Sequence, residues 1–372
     1  MILENDYPMH YVRSNIVYKK LLISTFVIGF IAVIYTIFWH SVAIYLKNAI
    51  EDWRDERAEQ GVVASYGKIK ITGFPINFHI GINDPQLQIP YGNSENQRFE
   101  KDKKWIWQGQ RVVAEVRPWN FNNIKLDLSG SNRLSLKDKG TLYEFVSKAK
   151  LINIDAEMFQ RNWPRKFKIR VEEIKILEKV SGVETSIKSA FFSTQVLLRG
   201  KTERSVAKKI PNRVLQIKLN GVYLPKAFKL PLDNYINEIS AKLKIIENIS
   251  PVLSLQNLKK WRDAGGIIDI DSFEGISGGL KTHAAGTLAL DENLQPLLAM
   301  SANLEGIIPL IDRLKRSGFI RSKTALLAKV IFGGISKRSA NGKRSVSLPL
   351  TIQDRKLSIG PVSLMALPFI NW

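Results

Sequence analysis

Hydrophobic and polar positions divide the chain into an apolar amino-terminal run and a long body in which they alternate. The run extends from Leu21 to Trp39, nineteen residues without a charged side chain, and no charge follows before Lys47. Because an α-helix rises about 1.5 Å per residue, this length nearly crosses the roughly 30 Å hydrocarbon core of a bilayer. The pattern predicts a transmembrane helix over residues 21–46, preceded by an arm over residues 1–20. The anchoring side chains are Leu21, Phe26, Phe30 and Trp39.

The residues around this run indicate how it lies in the membrane. A cleaved secretory signal is the alternative to a permanent anchor, with Ser41-Val42-Ala43 as a small-residue cleavage site, but signal cores are shorter, roughly 7–15 residues. Lys19 and Lys20 directly precede the run, and positive charge favours the cytoplasmic side. We therefore predict a single-pass protein with its arm in the cytoplasm and its bulk on the far side of the membrane.

After the run, the apolar spacing is first helical and then that of strands. Spacings of three and four predict a stalk helix over residues 47–64. From Lys68 onward apolar and polar residues alternate, as at Ile69 and Ile71, with a break at Gly73-Phe74-Pro75. Further predicted strands cover residues 76–82, 105–107, 112–116, 124–128, 133–137, 141–147, 150–156, 167–177, 183–198 and 213–222.

The second half of the body mixes helices with strands. Apolar residues from Leu232 to Ile249 recur at helical spacing and predict an amphipathic helix, followed by a second helix from Leu253 to Trp261. Strands resume over 267–271, 280–290, 296–304 and 346–359, and short helices are predicted over 307–314 and 325–331. Strands joined by short turns predict an α+β fold dominated by long antiparallel sheets. We predict two β-rich lobes, over residues 65–225 and 226–372.

Charge and cysteine content narrow the environment of this body. The chain has 55 Lys and Arg against 34 Asp and Glu, and it has no Cys, which excludes a disulfide framework and thiolate metal sites. Phospholipid headgroups are the nearest polyanion for an anchored domain, which makes nucleic acid the poorer partner. Solvated lysine-rich faces are the alternative. Candidate basic surface residues are Arg161, Arg165, Lys166, Lys208, Lys209 and Arg316.

Residues for catalysis are scarce. Of the four histidines, only His79 and His283 lie away from the apolar run, and neither is in a metal-ligand or catalytic motif. The sequence contains no nucleophile elbow, phosphate-binding loop or dinucleotide fingerprint. We therefore predict no enzymatic activity, no metal site and no cofactor.

The sheets offer more apolar surface than the few helices can cover. That surface either closes on itself as a sandwich or barrel, or remains a trough that shields an acyl chain. Candidate trough residues are Ile76, Phe78, Ile80, Ile82, Val112, Val116, Leu126 and Leu128.

Several short motifs resemble one bacterial family. The single span, Trp53 in the stalk, Ile71-Thr72-Gly73-Phe74-Pro75, Asp84-Pro85 and Arg117-Pro118-Trp119 resemble the proteins grouped as domain of unknown function 2125. The resemblance implies an envelope protein of Gram-negative bacteria that faces the periplasm, without catalytic residues to carry over. The closing strands are more weakly similar to AsmA-like lipid-transport proteins, an analogy of architecture alone.

These features lead to one functional hypothesis and one main alternative, with an envelope hydrolase as a third candidate. The hypothesis is a protein of the inner membrane that binds a lipid or another envelope component through an apolar sheet face, with phospholipid as a partner of its basic clusters. The alternative is a periplasmic interaction scaffold whose sheets are fully packed on themselves. Such a scaffold would dock a protein or a cell-wall polymer through its basic surface.

Overall fold

The amino-terminal run is part of one long helix. In this computed structural model α1 extends over His10–Glu59, so the predicted span and stalk are continuous. Ser24 and Thr25 donate to the carbonyl of Leu21, both at 2.9 Å, which satisfies hydroxyl groups that lipid could not. Within the described part of the chain, one helix is long and apolar enough to cross a membrane, over Tyr18–Glu59.

Twenty strands and three further helices follow α1 in the described residues. The structure describes residues 10–59, 61–90, 104–138, 141–160, 163–197, 211–225, 234–247, 249, 254–338, 344–360, 362–370 and 372. The helices are α2 Leu255–Asp263, α3 Ile307–Arg316 and α4 Ser322–Ile335. The strands are β1 Val63–Ser65, β2 Ile69–Thr72, β3 Phe78–Asn83, β4 Gln86–Pro90, β5 Lys104–Gly109, β6 Arg111–Arg117, β7 Asn120–Asp127, β8 Gly130–Asp138, β9 Thr141–Gln160, β10 Trp163–Glu178, β11 Glu184–Val196, β12 Pro211–Tyr223, β13 Tyr235–Ile246, β14 Ile267–Ser277, β15 Leu280–Leu290, β16 Pro296–Glu305, β17 Lys337–Arg338, β18 Arg344–Gln353, β19 Lys356–Ile359 and β20 Val362–Ala366.

The strands form one antiparallel sheet, which follows chain order only from β9 onward. Strands β1 and β2 lie end to end and pair with β4 and β3, which pair in turn with β5 and β6. Strand β9 is long enough to pair with β8 along its first half and with β7 along its second half. Each strand from β9 to β15 pairs with the next, β16 pairs with β18, and β18, β19 and β20 complete the sheet. The sheet-dominated α+β prediction is confirmed.

A transverse crease crosses the central strands. At this crease, each strand from β9 to β13 has one residue without a bridge partner, and the apolar alternation changes phase there. Two of these residues, Glu173 and Gly221, have φ angles of 49° and 61°. Because the extra residues occupy the same row, the register is preserved from strand to strand. The unbridged residues are Lys150, Glu173, Lys188, Gly221 and Asn237.

An exposed ion pair lies on this crease. Lys150 donates to Glu173 at 2.9 Å. This hydrogen bond lowers the pKa of Glu173 below its ordinary 4.5 and raises the pKa of Lys150 above 10.5. The pair therefore stabilises the fold fully at pH values between the ordinary pKa values of the two groups, 4.5 and 10.5. Its contribution is lost as pH falls through the lowered pKa of Glu173, and as pH rises through the raised pKa of Lys150.

The pH dependence of Glu173→Gln tests this pair. We expect its thermal midpoint to lie slightly below that of wild type at pH 7, because exposed pairs stabilise weakly. The difference should shrink as the pH falls below 4.5, because protonation of Glu173 removes the wild-type interaction. A difference that persists unchanged in acid would contradict the pairing.

The C-terminal helices cover one end of the sheet. Residues Ile307, Leu310 and Ile311 of α3, with Ala325, Ala328 and Phe332 of α4, pack on Ala284, Met300, Ala302, Leu304, Val346 and Leu348 of β15, β16 and β18. These apolar residues form a core in which each is 8% exposed or less. The predicted helices over 307–314 and 325–331 are confirmed.

The predicted helix beginning near Leu232 is wrong. Residues 235–246 form strand β13, which pairs with β12 and β14, and Leu232 itself lies outside the described residues. The helix predicted from Leu253 to Trp261 corresponds to α2, where the indole of Trp261 donates to the carbonyl of Ile246 at 2.9 Å. The division into two lobes stays a prediction; β12 and β13, on either side of it, are paired.

Candidate functional site

One face of the sheet presents apolar side chains from the first strands to the last. Directly paired residues of antiparallel neighbours point to the same face, so the register defines a row across thirteen strands. At about 4.8 Å per strand the row is about 58 Å long. Its members are Ile71, Ile80, Ala114, Leu126, Ile154, Ile169, Phe192, Ile217, Ala241, Phe273, Ala284, Ala302 and Leu348.

A second, largely apolar row runs beside the first. It begins at Ile152 and continues through directly paired residues to Val346, with Gly275 and Thr282 as its only members that are not apolar. We call the surface formed by both rows the apolar face. The second row contains Ile152, Val171, Ala190, Leu219, Ile239, Gly275, Thr282, Leu304 and Val346.

The apolar face is covered at its C-terminal end and only partly buried in its centre. Ala284, Ala302 and Leu348 lie beneath α3 and α4 and are 1%, 2% and 6% exposed. In the same row, Ile169 and Phe192 are only half-buried. Leu348 and Ile169 are similar in size, so the difference in their exposure follows from the helical cover. The central strands therefore offer apolar surface that can still be buried.

The predicted trough residues lie at the first strands of this surface. Ile80 and Leu126 belong to the first row. Phe78 and Val116 pair with each other on the same face, two residues along their strands from Ile80 and Ala114. Phe78, Ile80 and Val116 are already 0%, 5% and 7% exposed, so they form core. Ile76 is 60% exposed on the β2–β3 turn. The half-buried members are Ile82, Val112, Leu126 and Leu128.

Helix α1 joins the sheet through aromatic side chains. Trp39 is 4% exposed, and its ring stacks on Phe78 at 4.9 Å and meets Phe74 edge-on at 5.5 Å. Tyr35 donates to the carbonyl of Pro75 at 2.5 Å. The sequence suggested a lipid-facing Trp39, but Trp39 is buried against the body. Leu21, Phe26 and Phe30, in contrast, are 59–76% exposed and free to face lipid.

Gly73 determines the shape of the turn that meets α1. Its φ angle is 103°, and a Cβ atom there would lie 2.5 Å from the carbonyl oxygen of Asn77. That carbonyl belongs to the same turn, in which Asn77 donates to the carbonyl of Gly73 at 3.0 Å. A side chain at position 73 therefore strains the backbone and also displaces the turn.

We expect Gly73→Ala to lower the free energy of unfolding by about 1–3 kcal/mol, because it adds strain in a region that L-residues rarely adopt. Denaturant titration of the full chain in detergent measures this. Gly182→Ala is the matched control, since Gly182 also has positive φ but nothing within 4 Å of the added Cβ. Equal losses for the two variants would contradict the steric role of the Asn77 carbonyl.

The opposite face of the sheet is polar. Glu115, Lys125, Asp155 and Lys168 form one paired row that alternates in charge and lines a depression of about 340 Å³. Of the predicted basic residues, Arg165 and Lys166 both contact Glu157, at 3.7 and 3.4 Å. Arg316 lies at the end of α3, far along the chain from both. Arg161, Lys208 and Lys209 are outside the described residues.

The two candidate histidines are far apart in the meander. His79 lies on β3, 3.9 Å from Glu115, and His283 lies on β15, 3.4 Å from Glu274. In the part of the chain that the structure describes, no group of three His, Cys, Asp or Glu side chains could hold a metal ion. The dominant feature of the described residues is therefore the extended apolar surface.

Comparison with known proteins identifies the family. The family model described as an uncharacterized protein conserved in bacteria, DUF2125, matches residues 39–368. The match begins at Trp39, where α1 meets the sheet, and includes all twenty strands. No curated protein and no solved structure matches the chain, so the AsmA-like analogy gains no support. Because the match covers most of its length, the chain belongs to the bacterial DUF2125 family.

Proposed function

We propose that this protein is anchored by α1 in the inner membrane of a Gram-negative bacterium, exposes its sheet to the periplasm, and binds a lipid or another apolar envelope component on the apolar face. The basic residues before the run support the orientation. The absence of Cys is compatible with an oxidising compartment. Membership of a bacterial family agrees with the location.

The observation that carries this proposal is the unequal cover of one continuous apolar surface. The face begins beside α1 and ends beneath α3 and α4, whereas Ile154, Ile169 and Phe192 in its centre are half-buried. Each methylene group of a bound acyl chain would contribute about 0.8 kcal/mol of favourable binding free energy when it is buried. The bound chain would also cover part of the surface that these side chains leave exposed. An extended apolar ligand matches this surface in shape and chemistry.

Lipid content of purified variants tests the proposal. Ile217→Glu places a charge in the centre of the apolar face, whereas Lys218→Glu changes the neighbouring residue on the opposite face. Both variants keep α1 and therefore the same lipid around it. We expect mass spectrometry to find fewer lipid molecules per protein in Ile217→Glu than in wild type and Lys218→Glu, with matching circular dichroism. Equal lipid content in all three would contradict the proposal.

A scaffold is the second candidate, because the opposite face carries exposed basic residues. Lys168, Lys218 and Lys242 all point away from the apolar face. A scaffold would need this basic surface and no lipid on the apolar face. Loss of a captured protein or cell-wall polymer on Lys218→Glu, with unchanged lipid content in Ile217→Glu, would favour it.

A further inference from the structure

The first strands return along the stalk toward the membrane. Beyond Trp39, α1 continues to Glu59, a distance of about 30 Å at 1.5 Å per residue. The chain then reverses at Gly61, whose φ is 80°. Strands β1 and β2 run back over Val63–Thr72, about 33 Å at 3.3 Å per residue. The two lengths match, and the β2–β3 turn therefore arrives at the level of Trp39.

The contacts of this turn fix its depth. Phe74 lies 6.4 Å from Tyr35 and 5.5 Å from Trp39, measured between ring centroids. Tyr35 and Trp39 are about 22 and 28 Å along the helix axis from Lys20, which marks the cytoplasmic border. The hydrocarbon core is about 30 Å thick. A turn beside these two residues consequently lies at the far edge of the core.

A second turn projects in the same direction. Phe78 of β3 pairs with Val116 of β6, and Phe78 and Phe121 stack at 6.2 Å. Trp119, in the turn between β6 and β7, is three residues beyond Val116, and Pro75 is three residues before Phe78. Both turns therefore extend about three residues beyond the Phe78–Val116 pair. They end at the same level.

Both turns expose large apolar side chains. Phe74, Ile76, Trp119 and Phe121 are 49%, 60%, 64% and 43% exposed. The first turn, residues 73–77, contains no charged residue, and the second follows Arg117, whose long side chain can reach a headgroup. Exposed aromatic rings of this kind are typical of membrane interfaces.

We propose that the β2–β3 and β6–β7 turns insert together into the periplasm-side leaflet beside α1, with phospholipid as the partner of Phe74, Ile76, Trp119 and Phe121. The proposal rests on α1 spanning the membrane. It places the first residue of the apolar face, the half-buried Ile71, directly above the acyl chains of that leaflet. A lipid leaving the leaflet would meet apolar side chains without first crossing a polar surface.

Site-specific labelling tests the insertion, because the chain has no native cysteine. Ile76→Cys and Trp119→Cys carry an environment-sensitive fluorophore in the full chain, reconstituted in phosphatidylethanolamine and phosphatidylglycerol vesicles. Val180→Cys is the matched control: Val180 is 77% exposed, on the β10–β11 turn at the opposite end of the strands. All three sites are exposed, so labelling should leave the fold intact, which circular dichroism verifies.

We expect lipid-borne doxyl quenchers to quench the labels at 76 and 119 at least threefold more than the label at 180, and aqueous iodide to give the reverse order. Equal quenching at all three positions would overturn the insertion. Quenching at position 76 alone would overturn the part assigned to the β6–β7 turn. These labels leave Ile217 unchanged, so the lipid content of the apolar face is a separate result.

Discussion

Phe78→Ala lowers the free energy of unfolding by about 3–5 kcal/mol, the cost of truncating a fully buried phenylalanine. Phe78 is 0% exposed and packs between Trp39 of α1 and Phe121 of β7. Its truncation leaves a cavity at the joint between the helix and the sheet. Denaturant titration of the full chain in detergent micelles measures the loss.

Phe121→Ala provides the matched control for this effect. Phe121 touches the same ring but is 43% exposed, so its truncation removes less buried surface. We expect it to cost about 1 kcal/mol. Limited proteolysis within the stalk should also become faster in Phe78→Ala than in Phe121→Ala. Equal stability and equal proteolysis of the two variants would contradict the packing at this joint.

Phe332→Ala has the second large effect, about 3–5 kcal/mol, because it empties a site between α4 and the sheet. Phe332 is 3% exposed and belongs to the core formed with β15, β16 and β18. The loss of stability should first affect the two C-terminal helices. Amide hydrogen exchange is expected to accelerate in α3 and α4 before it does in β9 to β13.

Leu326→Ala, on the same helix, is the control for Phe332→Ala. Leu326 is 65% exposed, and its truncation should change stability by no more than about 0.5 kcal/mol. If Phe332→Ala left exchange in α3 and α4 at the wild-type rate, these helices would not depend on that contact. The proposed cover of the C-terminal end of the apolar face would then be wrong.

Periodicity predicted most elements because local spacing and burial agree in them. The span, the strands and the two C-terminal helices are of this kind. The crease explains the main error. In β13 the phase change at Asn237 places Ile236 and Ile239 three residues apart, and the small Ala241 leaves Leu243 as the next large apolar residue, at a spacing of four. The change of phase in the apolar alternation of β13 thus produced the spacings of three and four that are typical of an amphipathic helix.

A repeated signal could have revealed the crease. Each central strand interrupts its period of two with one apolar spacing of three. Five such interruptions in consecutive strands indicate a coherent feature rather than five helices. The pairs are Ala149 and Ile152, Val171 and Ile174, Ile187 and Ala190, Leu219 and Val222, and Ile236 and Ile239.

The candidate site was only partly accessible to sequence reasoning. Alternation identified which residues of β3 or β6 share a face. It could not show that Trp39, thirty-nine residues earlier, covers Phe78, because that contact depends on the return of β1 and β2 along α1. The half-buried centre of the face also lay beyond prediction. The strands in the centre have the same apolar alternation as the strands beneath α3 and α4. Only the position of the two helices in the folded protein distinguishes the two groups.

Photo-crosslinking in the membrane shows whether the apolar face binds lipid. Benzoylphenylalanine replaces Phe192 on the apolar face in one full-length protein and Lys168 on the opposite face in another, and both are irradiated in native membranes. We expect lipid adducts, detected by mass spectrometry, at position 192 and none at position 168. Adducts at both positions alike, or at neither, would contradict it.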